Sequence, residues 1–244
     1  MSRSPPLRIG VLVSGSGTLL QALIDEQDPS YRVVVVVSDR PDVPALQRAG
    51  RAGIEAVVVD YGSFSSRSEF SGAIAAALAG RDVELVCSAG FMRILGPAYF
   101  QTLTVPTINS HPALLPAFPG AHGVRDALEW GAKVAGTTIH FVDQEVDHGP
   151  IIAQEAIDVR ADDTEESLHE RIKEIERRLY PQVIRWQAAG RLAPRADAPG
   201  VSFATPVEGG TVYGRAEIGV ASDDDAFSQV SLAYRAVGER RWHY

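Results

Sequence analysis

The chain has 244 residues, of which 45% are hydrophobic and 22% charged, a composition typical of a globular protein. Its net charge of −8 excludes a generally basic nucleic-acid-binding protein, because phosphates are neutralised by clustered lysine and arginine. The single cysteine excludes an intramolecular disulfide or a cysteine-rich metal site, and without a long apolar run we expect a cytoplasmic protein with no signal peptide and no membrane span.

The segments up to about residue 110 alternate between strand-like and helix-like patterns. Short apolar or β-branched runs predict strands, and apolar residues at helical spacing predict helices. The predicted strands are residues 7–13, 32–37, 54–59, 83–87 and 107–110, and the predicted helices are 19–24, 44–52 and 67–79. This alternation predicts an α/β, Rossmann-like fold with a mostly parallel sheet and helices on both faces. The continuous runs at 32–37 and 54–59 predict strands that are buried on both faces.

The pattern changes after His111. Proline and glycine residues predict a long shaped loop over 112–123, which a short helix at 124–130 follows. Two strand-like runs, 134–142 and 151–159, flank an acidic turn. They predict a hairpin, so the C-terminal portion of the sheet is expected to be antiparallel.

A last helix is predicted to begin at Asp163 and Glu166, which have the spacing of a capping box. Pro181 is expected to kink or interrupt this helix. Its apolar stripe consists of Leu168, Ile172, Ile175, Leu179 and Val183. The composition shifts at about residue 195, which predicts a domain over 1–194 and a C-terminal tail or hairpin appendage over 195–244.

A glycine-containing turn follows the first predicted strand, where Gly15 and Gly17 flank Ser16 and precede Thr18. Paired glycines let a backbone turn approach a ligand, and a following helix N-terminus favours an anion. The turn lacks the third glycine of the dinucleotide fingerprint and the lysine of the Walker motif. It therefore favours a phosphate monoester over a dinucleotide, and a plain strand-to-helix turn is the alternative.

Polar side chains suited to proton transfer follow the fifth predicted strand and lie in the acidic turn. Asn109 can donate an amide N–H to a developing oxyanion, and His111 titrates near neutrality. Asp147 could orient His111 and keep it cationic, because a nearby carboxylate favours imidazolium. The structural alternatives are a histidine packed under a loop and an aspartate that serves only its turn. His140, in a strand-like run, is expected to be a core histidine.

The segment 90–95 follows the fourth predicted strand and contains aromatic and apolar residues. They could line a slot for a flat ring, with plain packing as the alternative. This slot, the glycine turn and the Asn109–His111 pair all stand at the carboxyl ends of predicted strands. We therefore expect them to share one crevice.

The most specific segments are AGFMRIL at 89–95, NSHPALLP at 109–116 and GTTIHFV at 136–142, followed by Asp147. With these segments the chain resembles the folate-dependent phosphoribosylglycinamide formyltransferase family over about residues 7–192. The resemblance implies transfer of the formyl group of 10-formyltetrahydrofolate to the amine of 5'-phosphoribosylglycinamide in de novo purine biosynthesis. It also implies small-molecule partners without nucleic acid or membrane, no metal, and a monomer or homodimer.

The resemblance also implies roles for individual residues. His111 would transfer protons with Asp147 as its partner, and Asn109 would complete the catalytic set. The ribonucleotide would be bound by Gly15, Gly17, Thr18, Leu19 and Glu176. The folate would be bound by Arg67, Met92, Arg93, Ile94, Leu95 and Asn109. Thr18 and Leu19 stand where the family often has Ser-Asn, and His148 replaces a frequent glycine.

Three other functions fit parts of the pattern. A methionyl-tRNA formyltransferase shares the Asn-x-His…Asp set but is expected to carry a larger, basic C-terminal domain. A formyltetrahydrofolate hydrolase uses the same set on water and is expected to carry a further N-terminal domain. A catalytically inactive folate or nucleotide binder is the third alternative, although the expected polar residues are all present.

Overall fold

A computed structural model describes residues 5–26 and 28–192 of the chain. The strands are β1 Leu7–Val13, β2 Tyr31–Ser38, β3 Glu55–Val58, β4 Leu85–Ser88, β5 Thr107–His111, β6 Val134–Phe141 and β7 Ile151–Asp158. The helices are α1 Thr18–Asp25, α2 Pro44–Arg51, α3 Arg67–Ala79, α4 Pro97–Thr102, α5 Gly123–Trp130 and α6 Glu165–Ala188, with a 3-10 turn at Tyr61–Ser63. The predicted appendage at 195–244 lies outside the described residues.

The strands form one sheet in the order β3-β2-β1-β4-β5-β6-β7. The first five strands pair in parallel, and β6 and β7 pair antiparallel. This confirms the predicted α/β fold with a mostly parallel sheet and an antiparallel C-terminal portion. β2 and β3 lie on one side of β1, and β4 and β5 lie on its other side. The carboxyl ends of β1, β4 and β5 are therefore neighbours at the point where the strand order reverses, which is where such sheets bind ligands.

Successive side chains along the strands point to opposite faces of the sheet and pack into two cores, one on each face. Val11 and Cys87 belong to the core that α1, α2 and α6 cover, and Leu12 and Val86 belong to the core that α3 and α4 cover. The prediction of helices on both faces is thus confirmed. Cys87 is fully buried, and burial raises the pKa of its thiol, so it is not available as a nucleophile. No helix in the described part of the chain is long and apolar enough to cross a membrane.

The prediction that residues 54–59 form a strand buried on both faces is wrong. β3 is the edge strand of the sheet and pairs only with β2, so Glu55 and Val58 are exposed. A β-branched run shows that a segment is extended, but its place in the sheet depends on long-range pairing. The short helix α4, with Pro97 at its first turn, was not predicted from its six residues.

The last helix also differs from the prediction at two points. Its N-cap is Thr164, which forms a capping box with Ser167, whereas Asp163 lies outside and pairs with Arg171. Pro181 does not interrupt α6, which is continuous from Glu165 to Ala188. Side chains on both sides of Pro181 are buried in the core, and this packing outweighs the local preference of proline to end a helix.

Tyr180 joins α6 to the two strands beneath the candidate site. Its buried hydroxyl lies 3.0 Å from the carbonyl oxygen of Ser88 in β4 and 2.9 Å from that of Ile108 in β5. Burial raises the pKa of this phenol, so it stays protonated as a donor. The carboxyl end of β4 and the first half of β5 are thereby fixed to one helix.

Candidate active site

The turn after β1 and the segment after β4 are in direct contact at the carboxyl edge of the sheet. The Ser14 hydroxyl accepts a 2.8 Å hydrogen bond from the main-chain N–H of Met92, and the Ser14 N–H donates to the carbonyl of Gly90 at 3.2 Å. The hydroxyl of Ser14 is therefore used to hold two loops together. The segment after β4 adjoins β5, whereas the turn after β1 lies one strand farther from it.

Helix α2 orients the peptide groups of the glycine turn. The carbonyl of Gly15 accepts from the N–H of Ala45 at 3.1 Å, and the carbonyl of Ser16 accepts from Arg48 Nε at 2.9 Å. In a trans peptide the next N–H points the opposite way, so the N–H groups of Ser16 and Gly17 point away from α2. With the N-terminus of α1 they are donors of the kind that binds an anion.

Gly17 is required for this arrangement. Its φ is +68°, and a Cβ at this position would lie 2.7 Å from the Cβ of Ala45. Thr18 is the first residue of α1 and is half-buried, whereas the side chain of Leu19 lies in the core. Leu19 can therefore offer a ligand only its main-chain groups.

Asn109, His111 and Asp147 come together at the carboxyl end of β5. His111 Nδ1 lies 3.3 Å from Asp147 Oδ2, and the same carboxylate oxygen accepts a 2.8 Å hydrogen bond from the N–H of Gly120. His111 Nε2 lies 2.8 Å from the carbonyl oxygen of Phe118. The loop after β5 thus holds both the imidazole and the carboxylate. Among the residues described, no group of three or more histidine, cysteine or carboxylate side chains is placed to hold a metal ion.

The turn that carries Asp147 is compact for a steric reason. Asp147 has a φ of +53°, a left-handed conformation that aspartate tolerates better than most residues. Two residues later, a Cβ at Gly149 would lie 1.9 Å from the carbonyl oxygen of Phe141. Only glycine lets the turn fold back this closely on β6, and this close approach brings Asp147 to His111.

His140 belongs to the same group, although sequence analysis assigned it to the core. It is buried, but its Nε2 lies 3.3 Å from Asn109 Nδ2 and 3.6 Å from Asp147 Oδ1. Its Nδ1 faces the carbonyl of Phe141 at 2.8 Å and therefore carries the proton, which leaves Nε2 to accept from the amide of Asn109. The antiparallel register pairs His140 with Asn109, and this pairing is not visible in either strand alone.

Opposing effects act on the pKa of His111. Burial lowers the pKa of His111, although the Asp147 carboxylate and the Phe118 carbonyl oppose this shift. Burial alone would raise the pKa of Asp147, but the neighbouring His140, the hydrogen bond from the Gly120 N–H and the nearby His111 hold it below its usual value. Asp147 thus favours the imidazolium form of His111, as expected for a partner carboxylate, while burial favours the neutral form.

Glu176 lies on the opposite face of β5 from Asn109 and His111. Ser110 stands between these two residues, so its side chain points to the other face, where its hydroxyl donates to Glu176 Oε1. Thr137 also donates to this oxygen, at 3.2 Å. Burial raises the pKa of the Glu176 carboxyl despite these two hydrogen bonds.

The segment after β4 alternates between exposed and buried side chains. Met92 and Ile94 are 63% and 50% exposed, whereas Leu95 is buried in the core. Arg93 Nε donates to Asp39, so its guanidinium is engaged within the protein. The exposed Arg67 begins α3 beside Gly96, at the end of this segment. The structure thus places Arg67 and residues 92–95 along one apolar strip, whereas Asn109 lies in β5.

Comparison with known proteins gives a consistent result. The formyl transferase family matches residues 7–184 of the chain. A phosphoribosylglycinamide formyltransferase of Mycobacterium tuberculosis is 49% identical over 178 residues, which cover 72% of this chain and 82% of the relative. The crystal structure of glycinamide ribonucleotide transformylase 1 from Symbiobacterium toebii is 47% identical, with a TM-score of 0.76 and coverage of 80% of this chain and 93% of that one.

The trifunctional purine biosynthetic protein adenosine-3 of Homo sapiens is 41% identical over 186 residues, which cover 75% of this chain but 18% of that protein. The similarity to such a longer protein is thus confined to one part of it. The M. tuberculosis and S. toebii relatives, in contrast, match over most of their own length. On this ground the chain belongs to the formyl transferase family, among the phosphoribosylglycinamide formyltransferases.

Proposed function

We propose that the chain transfers the formyl group of 10-formyltetrahydrofolate to the primary amine of 5'-phosphoribosylglycinamide, the formyl transfer of purine biosynthesis. The observation that carries the proposal is the assembly of Asn109, His111 and Asp147 at the carboxyl end of β5. Relatives named for this activity support it at 49% identity.

The reaction needs a group that stabilises negative charge on the formyl oxygen and a group that transfers one proton. The amine nitrogen attacks the formyl carbon, and the resulting tetrahedral intermediate bears its charge on the formyl oxygen. Asn109 donates an N–H to this oxygen, a contribution of about 2.7–4 kcal/mol for one such donor. His140 fixes the orientation of the Asn109 carboxamide by accepting its other N–H.

His111 carries the proton between the two nitrogens. Its imidazole accepts the proton that the attacking amine loses, and Asp147 stabilises the resulting imidazolium at close range. As the bond between the formyl carbon and the folate nitrogen breaks, that nitrogen takes the proton from His111. The site returns to its initial state with the formyl group on the ribonucleotide.

The two substrates are bound by different loops. The phosphate of the ribonucleotide is held by the turn of Gly15, Gly17 and Thr18 and by the N–H of Leu19, and Glu176 contacts the glycinamide end. This assignment is supported by the outward N–H groups of the turn and by the position of Glu176 beside β5.

The folate lies against Met92 and Ile94, while main-chain groups of Arg93 and Leu95 contact the edge of its ring. The exposed guanidinium of Arg67 is suited to a carboxylate of the folate. The apolar strip and its unpaired peptide groups support this placement.

The deciding experiment follows the formyl group. Purified protein is incubated with 10-formyltetrahydrofolate and 5'-phosphoribosylglycinamide, and formylated ribonucleotide and free formate are measured separately. We expect stoichiometric formyl transfer and little formate. Formate release that does not depend on the ribonucleotide would support a hydrolase, transfer to methionyl-tRNA alone would support the tRNA enzyme, and folate binding without turnover would support an inactive binder.

A further inference from the structure

Asp39 is a buried carboxylate just after β2, outside the catalytic group. Its side chain is 0% exposed, and its Oδ2 accepts a 2.7 Å hydrogen bond from Nε of Arg93. Its Oδ1 accepts no hydrogen bond from the described part of the chain, and the exposed Arg40 is farther away, at 3.8 Å from Oδ2. Burial of a carboxylate is unfavourable unless it is paired, so the bond to Arg93 is the main interaction that offsets the lost hydration.

Arg93 is held on a second side by an aromatic ring. Its guanidinium carbon lies 4.1 Å from the centroid of Tyr61, a cation–π contact. Tyr61 is in turn fixed by Asp39, because the Tyr61 N–H donates to the main-chain carbonyl of Asp39 at 3.1 Å. The ring of Tyr61 also packs edge-on against Phe70 of α3. Asp39 therefore holds the Arg93 side chain directly through its carboxylate and also fixes Tyr61, the second group that holds it.

The segment that contains Arg93 is held at three points. Its start is fixed by the Met92 N–H on Ser14, and its end by the Gly96 N–H, which donates to the Ser71 hydroxyl at 2.9 Å. Between these points, the main-chain groups of residues 93–95 make no hydrogen bond within the described chain. The Arg93 side chain is thus the one polar attachment described between these points, beside the buried side chain of Leu95, and the polar main-chain groups of residues 93–95 remain available to a ligand.

We propose that Asp39 is a positioning residue for the folate substrate: it holds the Arg93 side chain and so fixes residues 93–95 in the conformation that receives the folate ring. The proposal rests on the proposed function, because the slot at 92–95 is assigned to folate there. It gives the Arg93 side chain a structural role and leaves its main chain to contact the substrate.

The test compares two buried aspartates that each pair with an arginine. Asp39→Asn keeps the size of the side chain but removes the charge that binds Arg93, and we expect the KM for 10-formyltetrahydrofolate to rise about tenfold. The KM for the ribonucleotide and kcat are expected to stay within about twofold, since neither depends on this segment. The matched control is Asp163→Asn, because Asp163 is 4% exposed and pairs with Arg171 at 2.6 Å beside α6, away from the site. We expect both KM values to be unchanged in the control.

A second variant keeps the test valid if Asp39→Asn does not fold. Arg93→Met removes the same bond from the exposed end and is expected to give the same selective rise, and Arg93→Lys is expected to recover part of the affinity. In the double variant the two effects are expected not to add, because they remove one interaction. Equal rises in both KM values, or an unchanged KM for the folate in either variant, would overturn the proposal.

Direct binding separates this proposal from the proposed function. Calorimetry measures the affinity of the slot for tetrahydrofolate without any transfer step. Asp39→Asn is expected to weaken this binding about tenfold. If the wild type binds tetrahydrofolate but transfers no formyl group, the proposed function fails while the positioning role is still measured. If Asp39→Asn binds tetrahydrofolate as tightly as the wild type, the positioning role fails alone.

Discussion

Arg48 Nε donates a 2.9 Å hydrogen bond to the main-chain carbonyl of Ser16, so helix α2 holds the glycine turn from the side opposite its outward N–H groups. Its Nη1 donates to the side chain of Gln21 at 3.0 Å, which fixes the guanidinium between the two helices. The contact was not anticipated from the sequence, because it joins residues 32 positions apart. It makes Arg48 a support of the proposed phosphate site.

Arg48→Met is expected to raise the KM for 5'-phosphoribosylglycinamide about tenfold, because a charged hydrogen bond that orients the turn is lost. Steady-state kinetics with each substrate varied in turn measures this. Arg51→Met removes a charge from the exposed side of the same helix and is the control, for which we expect wild-type values. An equally large rise in the KM for the folate would show that Arg48 supports the fold in general and has no specific effect on the glycine turn.

His111→Ala is expected to lower kcat by at least about two orders of magnitude, the lower range for loss of a general acid–base group. Tetrahydrofolate binding should change little, because the ring would lie on the 92–95 segment. His148→Ala is the control, since this histidine is 66% exposed and pairs with Asp143. Near-normal turnover of His111→Ala would remove His111 from the mechanism.

Asp147→Asn is expected to reduce kcat and to move the pH dependence of His111 to lower pH. Burial already lowers the pKa of His111, and the Asp147 carboxylate opposes this, so removal of its charge lowers that pKa further. A pH–rate profile of kcat/KM measures the shift, and circular dichroism checks the fold. A folded variant with the wild-type rate and profile would make Asp147 a turn residue only.

Glu176→Gln is expected to weaken ribonucleotide binding without lowering the stability of the fold. Burial raises the pKa of Glu176, so the folded state holds this proton more tightly than the unfolded state, and the stability contributed by the group falls as pH rises through the folded value. At neutral pH the amide removes this penalty, so the Tm of the variant should equal or exceed that of the wild type. The KM for the ribonucleotide should rise at the same time. A lower Tm together with an unchanged KM would contradict the proposed role.

A chain that ends at residue 194 is expected to retain formyl transfer, because every residue proposed to act lies before Pro181. The truncated protein is compared with the full chain by kcat/KM and by thermal unfolding. A folded but inactive truncated protein would show that residues 195–244 contribute to the site.

Much of the fold could be predicted because its signals are local. The β-branched run around Val35 and the alanine-rich segment of α3 identify their elements at or near the observed boundaries. The exposed position of β3 could not be predicted, since it depends on which strand ends the sheet. The prediction that Pro181 interrupts the last helix was wrong for a similar reason, because the burial of the nearby Tyr180 and Val183 decides whether α6 continues.

The residues of the candidate site also divide into those that could be predicted from local sequence and those that depend on long-range contacts. The chemistry of Asn109, His111 and Asp147 can be predicted from residue type and from their position after strands. His140 was missed, because its part in the site depends on the antiparallel register that pairs it with Asn109. Arg48 and Asp39 were missed because their partners, Ser16 and Arg93, are distant in the sequence.

The placement of the Tyr180 hydroxyl between the carbonyls of Ser88 and Ile108 has a consequence for how the molecule opens. Separation of β4 from β5, or of α6 from either, would leave this buried hydroxyl or a carbonyl without a partner. Amide hydrogens in the three elements are therefore expected to exchange with deuterium through one common opening. The loops above the strand ends, with fewer internal hydrogen bonds, are expected to exchange faster and independently of it.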